Sequence, residues 1–222
     1  MSAEKQLSRR DAKALTKRRL IEGAIELARA EGLAALTTGR IAAAAGLAQS
    51  SFYVHFPDRA ACLREMGDAI GAQMLHRIRT ARVDFFAQLS HGDLYASNRA
   101  FHGSIIEALL QDRELIEVFL KLRREVSSPA GAGLRQLELR ARQEVVADME
   151  RIGLDRYFGD ELVVFLDATV GMIFGVVEGI VDGRSPSQAL GIEMVAKMTY
   201  PVFSEVVRRM LDDGFAGLRH SG

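Results

Sequence analysis

A chain of 222 residues that is 48% hydrophobic is long enough for one large or two smaller packed units and too apolar to stay disordered. Its single cysteine, Cys62, excludes an internal disulfide and a cysteine zinc cluster, which points to a reducing compartment and makes the cytoplasm the expected location. Basic and acidic residues balance at 29 each, yet residues 1–59 hold ten Lys and Arg against six Asp and Glu, so a part carrying +4 precedes a part carrying −4. Such a division aims one end at phosphate and keeps the other off it.

Residues 1–15 lack strong periodicity and the apolar core of a signal peptide, and read as a flexible arm basic enough to graze a DNA backbone. The first firm helix is expected from Thr16 to Glu31. Leu20, Ala24, Leu27 and Ala28 make its apolar face, flanked by Ile21 and Ile25, and Gly32 suits a left-handed position past its end. Lys17, Arg18 and Arg19 at its start read as exposed charges rather than direct DNA contacts. Leu33 and Leu36 then close a small three-helix core with Ile41 and Phe52.

The stretch from Thr37 to Leu63, TTGRIAAAAGLAQSSFYVHFPDRAACL, predicts a helix-turn-helix followed by the start of a longer helix. Thr37 and Thr38 are candidate caps for a short helix from Gly39 through Ala45, and Gly46 tolerates the positive φ of a tight turn. Ala42 and Ala45 leave room for a second helix to approach. That helix, Ala48 to His55, stops because Pro57 biases Phe56 away from helical geometry, and Asp58 suits a cap for the longer helix. Phe52 and Phe56 anchor it, while Gln49, Ser50, Ser51, Tyr53 and His55 supply neutral hydrogen-bonding groups. Gln pairs with adenine, Ser bonds base edges or phosphates, and a helix amino terminus favours phosphate oxygens, the equipment of a recognition helix in a major groove.

Residues Arg18 to Leu63 resemble the DNA-binding domain of TetR-family transcriptional regulators. The resemblance is carried by Ile21, Ala24, Leu27, Ala28, Gly32, Leu36, Thr37, Ile41, Ala42, Ala45, Gly46, Tyr53, His55, Phe56 and Leu63. Two positions depart from it: Ala48 stands where a small polar cap usually opens the recognition helix, and Arg59 replaces the usual lysine after the proline turn, keeping the charge. The resemblance implies an all-α fold in three parts: the arm at 1–15, a helix-turn-helix DNA-binding domain at 16–57, and a helical bundle for effector binding and dimerisation at 58–222. It implies no cofactor. The DNA-binding candidates are Thr38, Gln49, Ser50, Ser51, Tyr53, His55 and Arg59, with Arg59 facing phosphate, His55 either meeting phosphate or plugging the helix end, and Thr38 either capping its helix, meeting phosphate, or both.

Beyond the reading head, a long helix is expected from Asp58 to about Ala81 on Leu63, Met66, Ile70, Met74 and Ile78. Phe85 to Leu89 continues apolar, and Ser90 to Asp93 is a break. Helical stretches come next at Asp93 to Leu110 and Asp112 to Val126, then a loop at Ser127, Ser128, Pro129, Gly131 and Gly133. Leu134, Leu137, Ala141, Val145, Met149 and Ile152 trace the next helical face out to Gly153. Nothing alternates with period two over a useful length, so no sheet is expected.

Leu162 to Val181 is nearly long enough and apolar enough to span a membrane. Asp167 and Glu178 argue against a span, since each charge costs at least about 2.5 kcal/mol near a bilayer centre, and the segment is read as a helix buried all round. Gly171, Gly175 and Gly179 recur every four residues, which lets a partner helix come close. Ser187 to Leu211 is a second apolar helix, carrying Val195, Val202 and Val206, with a kink expected at Pro201. The pair suggests a four-helix interface with a second subunit; an internal core with no dimer is the other reading.

The family implies an effector pocket in the body, for which Phe101, Ile105, Phe119, Phe165, Thr169 and Met172 are the candidates. Asp167, Glu178 and His102 are polar groups suited to ligand selectivity if buried. No catalytic residue and no metal site is expected, because HExxH, a phosphate-cradling glycine loop and metal-ligand spacing among His55, His76, His91, His102 and His220 are all missing. The functional expectation is a homodimeric regulator that binds a near-palindromic operator in double-stranded DNA, represses transcription, and is released by a small apolar or amphipathic effector. An operator-binding dimer without small-molecule control and an α-helical enzyme are the alternatives.

Overall fold

The computed structural model describes residues 8–88, 93–151, 153, 155–185 and 187–213. The expectations for arm residues 1–7, for the side chains of Phe85 to Leu89, for the break at 90–92 and for Ile152, His91 and His220 lie outside the described residues. The described chain is all α, with helices α1 (Arg9–Glu31), α2 (Thr38–Ala44), α3 (Gln49–His55), α4 (Arg59–Gln88), α5 (Leu94–Leu110), α6 (Arg113–Arg124), α7 (Pro129–Arg151), α8 (Asp155–Phe158), α9 (Glu161–Val181) and α10 (Gln188–Asp212). By packing it divides into two units, residues 8–73 with Glu114–Glu138, and Met74–Arg113 with residues 139–213.

In the first unit, α1 begins seven residues before the expected start. Ser8 Oγ accepts from the Asp11 amide at 3.2 Å and donates to the Asp11 carboxylate at 2.7 Å, a reciprocal cap that turns part of the expected arm into helix. Leu20, Ala24, Leu36, Ile41, Phe52, Phe56, Met66 and Ile70 are fully enclosed and form the core predicted for the three small helices and the start of α4. Lys17 is not simply exposed: it pairs with Glu65 at 2.6 Å and lies 5.3 Å above the Phe56 ring. Arg19 donates to the Ala45 carbonyl at 2.7 Å, tying α1 to the end of α2.

The glycine-rich segment predicted as a loop is instead the first turn of α7. Ser128 is its cap, accepting from the Gly131 amide at 3.0 Å, and Pro129 fills the first helical position, where a missing N–H costs nothing. Glycine is needed there for proximity. A β-carbon on Gly131 would overlap the Glu125 carbonyl, and one on Gly67 of α4 would overlap the Ala130 carbonyl.

In the second unit, α5 packs along α10, with Ile105, Ile106, Leu109, Ile192, Val195 and Ala196 buried between them and α9. A polar network is sealed into this seam. Asn98 Nδ2 donates to the Ala196 carbonyl at 3.0 Å and to Thr199 Oγ1 at 3.1 Å, and His102 Nε2 lies 2.8 Å from the same hydroxyl. Phe158, Leu162, Leu166, Val206 and Met210 make a further apolar cluster.

Helix α9 corrects the expectation of burial all round: Val163, Val164 and Val170 are 40%, 68% and 44% exposed. By length and composition it would suffice to cross a membrane. It also carries Asp167, which accepts from Arg142 of α7 at 2.6 Å. Helix α10 continues through Pro201.

Candidate nucleic-acid interface

Two seven-residue helices build the site. Thr37, not Thr38, caps α2, its hydroxyl accepting from the Arg40 amide at 3.3 Å. The chain then reverses at Gly46, whose φ of 68° is the left-handed conformation expected for the turn. Ala48 occupies the cap position of α3 in extended conformation with no side-chain bond, so α3 starts at Gln49. Asp58 caps α4, accepting from the Ala61 amide at 2.7 Å.

Phe52 and Phe56 face inward with ring centroids 5.5 Å apart, and Tyr53 stands edge-on to Phe52 at 5.4 Å. With those anchors inward, Gln49, Ser50, Tyr53 and Val54 are turned out, Tyr53 54% and Val54 64% exposed, while Ser51 and His55 are half-buried. Val54 was not among the sequence candidates. Its signal was positional: it lies four residues after Ser50, on the face opposite Phe52, where an exposed valine offers apolar contact to a thymine methyl.

The polar candidates are not independent of one another. Gln49 Nε2 donates to Thr38 Oγ1 at 3.2 Å, and the Tyr53 hydroxyl lies 3.4 Å from that same oxygen. One hydrogen-bonded strip thus crosses from α2 to α3. His55 Nδ1 is enclosed without a partner, and desolvation, with smaller contributions from Lys13 and Lys17, holds its pKa below the usual histidine value. Arg59 is exposed but donates through Nε to the Leu36 carbonyl, so it fastens the start of α4 to the chain before α2. Arg40 is paired with Glu31. The surface that remains is mostly neutral, with hydrogen-bonding groups beside one apolar side chain.

The effector and dimer candidates sort differently. Phe101, Ile105, Phe165, Thr169 and Met172 belong to the second unit and Phe119 to the first. Phe119 and Ile105 are buried, and the Thr169 hydroxyl is satisfied by the Phe165 carbonyl at 2.8 Å. Among the dimer candidates, Gly171, Gly175 and Val202 are exposed, with nothing within 4 Å of a β-carbon built on either glycine. Val195, Val206 and Gly179 correct the expectation. Val195 and Val206 are 1% and 5% exposed within their own chain, and Gly179 is covered by the turn at Arg184 and Ser185, whose amides bond its carbonyl. Leu190, Met194 and Met198 are exposed on α10 instead, at the four-residue steps that lead to Val202.

Residues 20–66 match the family model of bacterial regulatory proteins, tetR family. No curated protein matches the chain. Among solved structures, the multidrug binding protein EbrR, complexed with imidazole, aligns with a TM-score of 0.61 at 18% identity over 84% of this chain and 93% of that one. A Mesorhizobium loti protein described as a candidate TetR-family transcriptional regulator aligns at 0.65, with 16% identity over 90% and 98%. The TetR family transcriptional regulator PfmR from Thermus thermophilus aligns at 0.52, with 17% identity over 84% and 97%. Likeness at these identities is likeness of fold, whereas the match at 20–66 falls on the helix-turn-helix itself, so the chain carries a helix-turn-helix of the tetR family of bacterial regulatory proteins within the fold shared by these structures.

Proposed function

We propose that the protein is a homodimeric transcriptional repressor that reads a near-palindromic operator with α3 and lets go when a small apolar or amphipathic effector binds its body. In this reading residues 16–57 are the reading head, preceded by the basic start of α1 at Arg9, Arg10 and Lys13, and residues 58–222 hold the effector and the second subunit. The observation that carries it is the outward face of α3, where Gln49, Ser50, Tyr53 and Val54 stand clear while Phe52 and Phe56 hold the helix from within. Thr38, through its backbone amide, and Ser51, His55 and Arg59 border that face and are assigned to phosphate contacts. Retention of promoter fragments, beginning with the DNA flanking its own gene, tests the reading; affinity that does not fall with added salt would remove it. Gln49→Ala should cost about 1 to 3 kcal/mol of binding and relax preference at one base position, read from a randomised-site selection.

Dimerisation is assigned to the exposed apolar faces of α9 and α10, Val164, Gly171 and Gly175 on one and Met194, Met198 and Val202 on the other. Two copies of this pair would form a four-helix contact. Met198→Glu sets an unpaired carboxylate into that contact and should yield monomers in sedimentation velocity, with loss of operator binding because a single head holds half a site. A dimer of unchanged stability would reassign the interface. Effector control is supported by the fold shared with a multidrug binding protein and by α4, one helix that leaves the reading head and continues into the second unit. An effector that prefers the non-binding form shifts the population away from DNA by its difference in affinity for the two forms. The tetR-family match at residues 20–66 and the Asp167–Arg142 pair on α9 favour a cytoplasmic rather than membrane location.

A further inference from the structure

We propose that Thr38 is a positioning residue for sequence reading: its hydroxyl fixes which way the Gln49 carboxamide faces, so that Gln49 selects adenine at one position of each half-site. The inference rests on the assignment of α3 as the reading helix and adds which atoms set its specificity. A glutamine on an exposed helix turns freely, and its amide offers an acceptor and two donors to whatever lies opposite. Such a side chain discriminates poorly among bases.

In this chain the turning is stopped from several sides. Nε2 donates to Thr38 Oγ1 at 3.2 Å, which makes the nitrogen end of the amide the one that points at α2. The amide also lies against Gly39, where a built β-carbon would sit 3.5 Å from Cδ and Oε1 and 3.8 Å from Nε2. The Tyr53 hydroxyl, 3.4 Å from Thr38 Oγ1, steadies the accepting oxygen in turn. One of the two amide hydrogens is therefore committed to Thr38. The other hydrogen and Oε1 are what the amide has left to offer a base, one donor and one acceptor. Adenine shows the complement on its major-groove edge, N7 as acceptor and the N6 amino group as donor. Guanine shows two acceptors, N7 and O6, and meets only one available hydrogen. The interhelix bond thus turns a permissive side chain into a selective one.

Full-length wild type, Thr38→Val, Thr38→Ser and Gln49→Ala are each carried through selection from a randomised duplex library, with thermal unfolding followed in parallel. The wild type is expected to enrich an A·T pair at one position per half-site. That preference falls roughly tenfold in both Gln49→Ala and Thr38→Val and returns in Thr38→Ser, with the other positions of the motif unchanged. A Thr38→Val protein that keeps the full preference at the position lost in Gln49→Ala overturns the proposal and leaves reading by α3 intact. A uniform drop in affinity with an unaltered motif overturns it equally, since that is the mark of a phosphate contact. A wild type that enriches no motif and shows no salt-dependent affinity removes the DNA-reading assignment itself, and the proposal with it. Gly39→Leu, which keeps the hydroxyl and crowds the amide, provides the second route if Thr38→Val does not fold; it must alter preference at that same single position, and an unaltered motif overturns the proposal.

Discussion

Alanine in place of Gly67 is expected to lower the unfolding free energy by about 3 kcal/mol or more, read as a shift of the urea midpoint at constant slope. Two effects compete at this position. Glycine inside a helix is worse than alanine by about 1 kcal/mol, so on an open face the substitution would stabilise α4. Here the new β-carbon meets the carbonyl group and α-carbon of Ala130, which are backbone and have no rotamer to escape into. The first turn of α7 has little freedom to back away. A β-carbon on Gly131 would already collide with the Glu125 and Leu122 carbonyls, and one on Gly133 would lie 2.7 Å from the Arg64 carbonyl. Overlap therefore outweighs helix propensity, and α4 must part from α7 or bend. A Gly67→Ala protein as stable as wild type would mean that these two helices do not meet as described.

That contact shows where the sequence was legible and where it was not. The helix-turn-helix is written in local chemistry: Thr37, Gly46, Pro57 and Asp58 each act within a few residues of themselves, so cap, turn and stop could be read before any packing was known. Ser128-Pro129-Ala-Gly-Ala-Gly is equally local in its cap, yet its glycines imitate a loop. They are present because two other stretches of backbone come close, and proximity between distant segments leaves no periodic trace. Ser8 illustrates the opposite failure. A reciprocal cap with Asp11 was visible, but the surrounding basic residues made the segment look like a solvated arm.

The same distinction divides the candidate sites. Hydrophobicity alone placed α9 and α10 together and could not say which side of each faces away, so Val195 and Val206 were grouped with Val202 although only Val202 is exposed. Polar composition singled out Gln49, Tyr53 and Thr38 separately. Their joint hydrogen bonding depends on how α2 crosses α3, which eleven and fifteen residues of separation do not encode. Val54 escaped because an isolated valine in a short helix reads as core, and only the direction of Phe52 reveals that it points out.

Acidification should expose the buried network between α5 and α10, at a cost of about 3 kcal/mol of stability between pH 6.5 and pH 4. The hydrogen-bond inventory fixes the reason. Thr199 Oγ1 lies 2.9 Å from the Val195 carbonyl of its own helix, accepts from Asn98 Nδ2 at 3.1 Å, and shares a 2.8 Å hydrogen bond with His102 Nε2. That bond occupies Nε2 of His102, and Nδ1 is enclosed with no partner whichever nitrogen carries the proton of the neutral ring. A second proton would place a charge and an unmatched N–H inside the seam, and burial accordingly pushes the pKa down to about 4. The unfolded chain takes up that proton near pH 6.5. Folding is thus penalised progressively as pH falls below 6.5, and the penalty levels off once the folded form protonates as well, near pH 4. Glu193, held below its usual pKa by hydrogen bonds from Tyr95 and Lys197 and, less strongly, from Arg99, opposes unfolding above its unfolded pKa and gives way only at the acid end of the same range. His102→Gln separates the two, because it removes the titrating ring and leaves Glu193 untouched. Denaturant midpoints taken across the interval should fall steeply for wild type and remain nearly level for the variant down to about pH 5. Parallel curves for the two proteins would show that His102 is not the group that titrates.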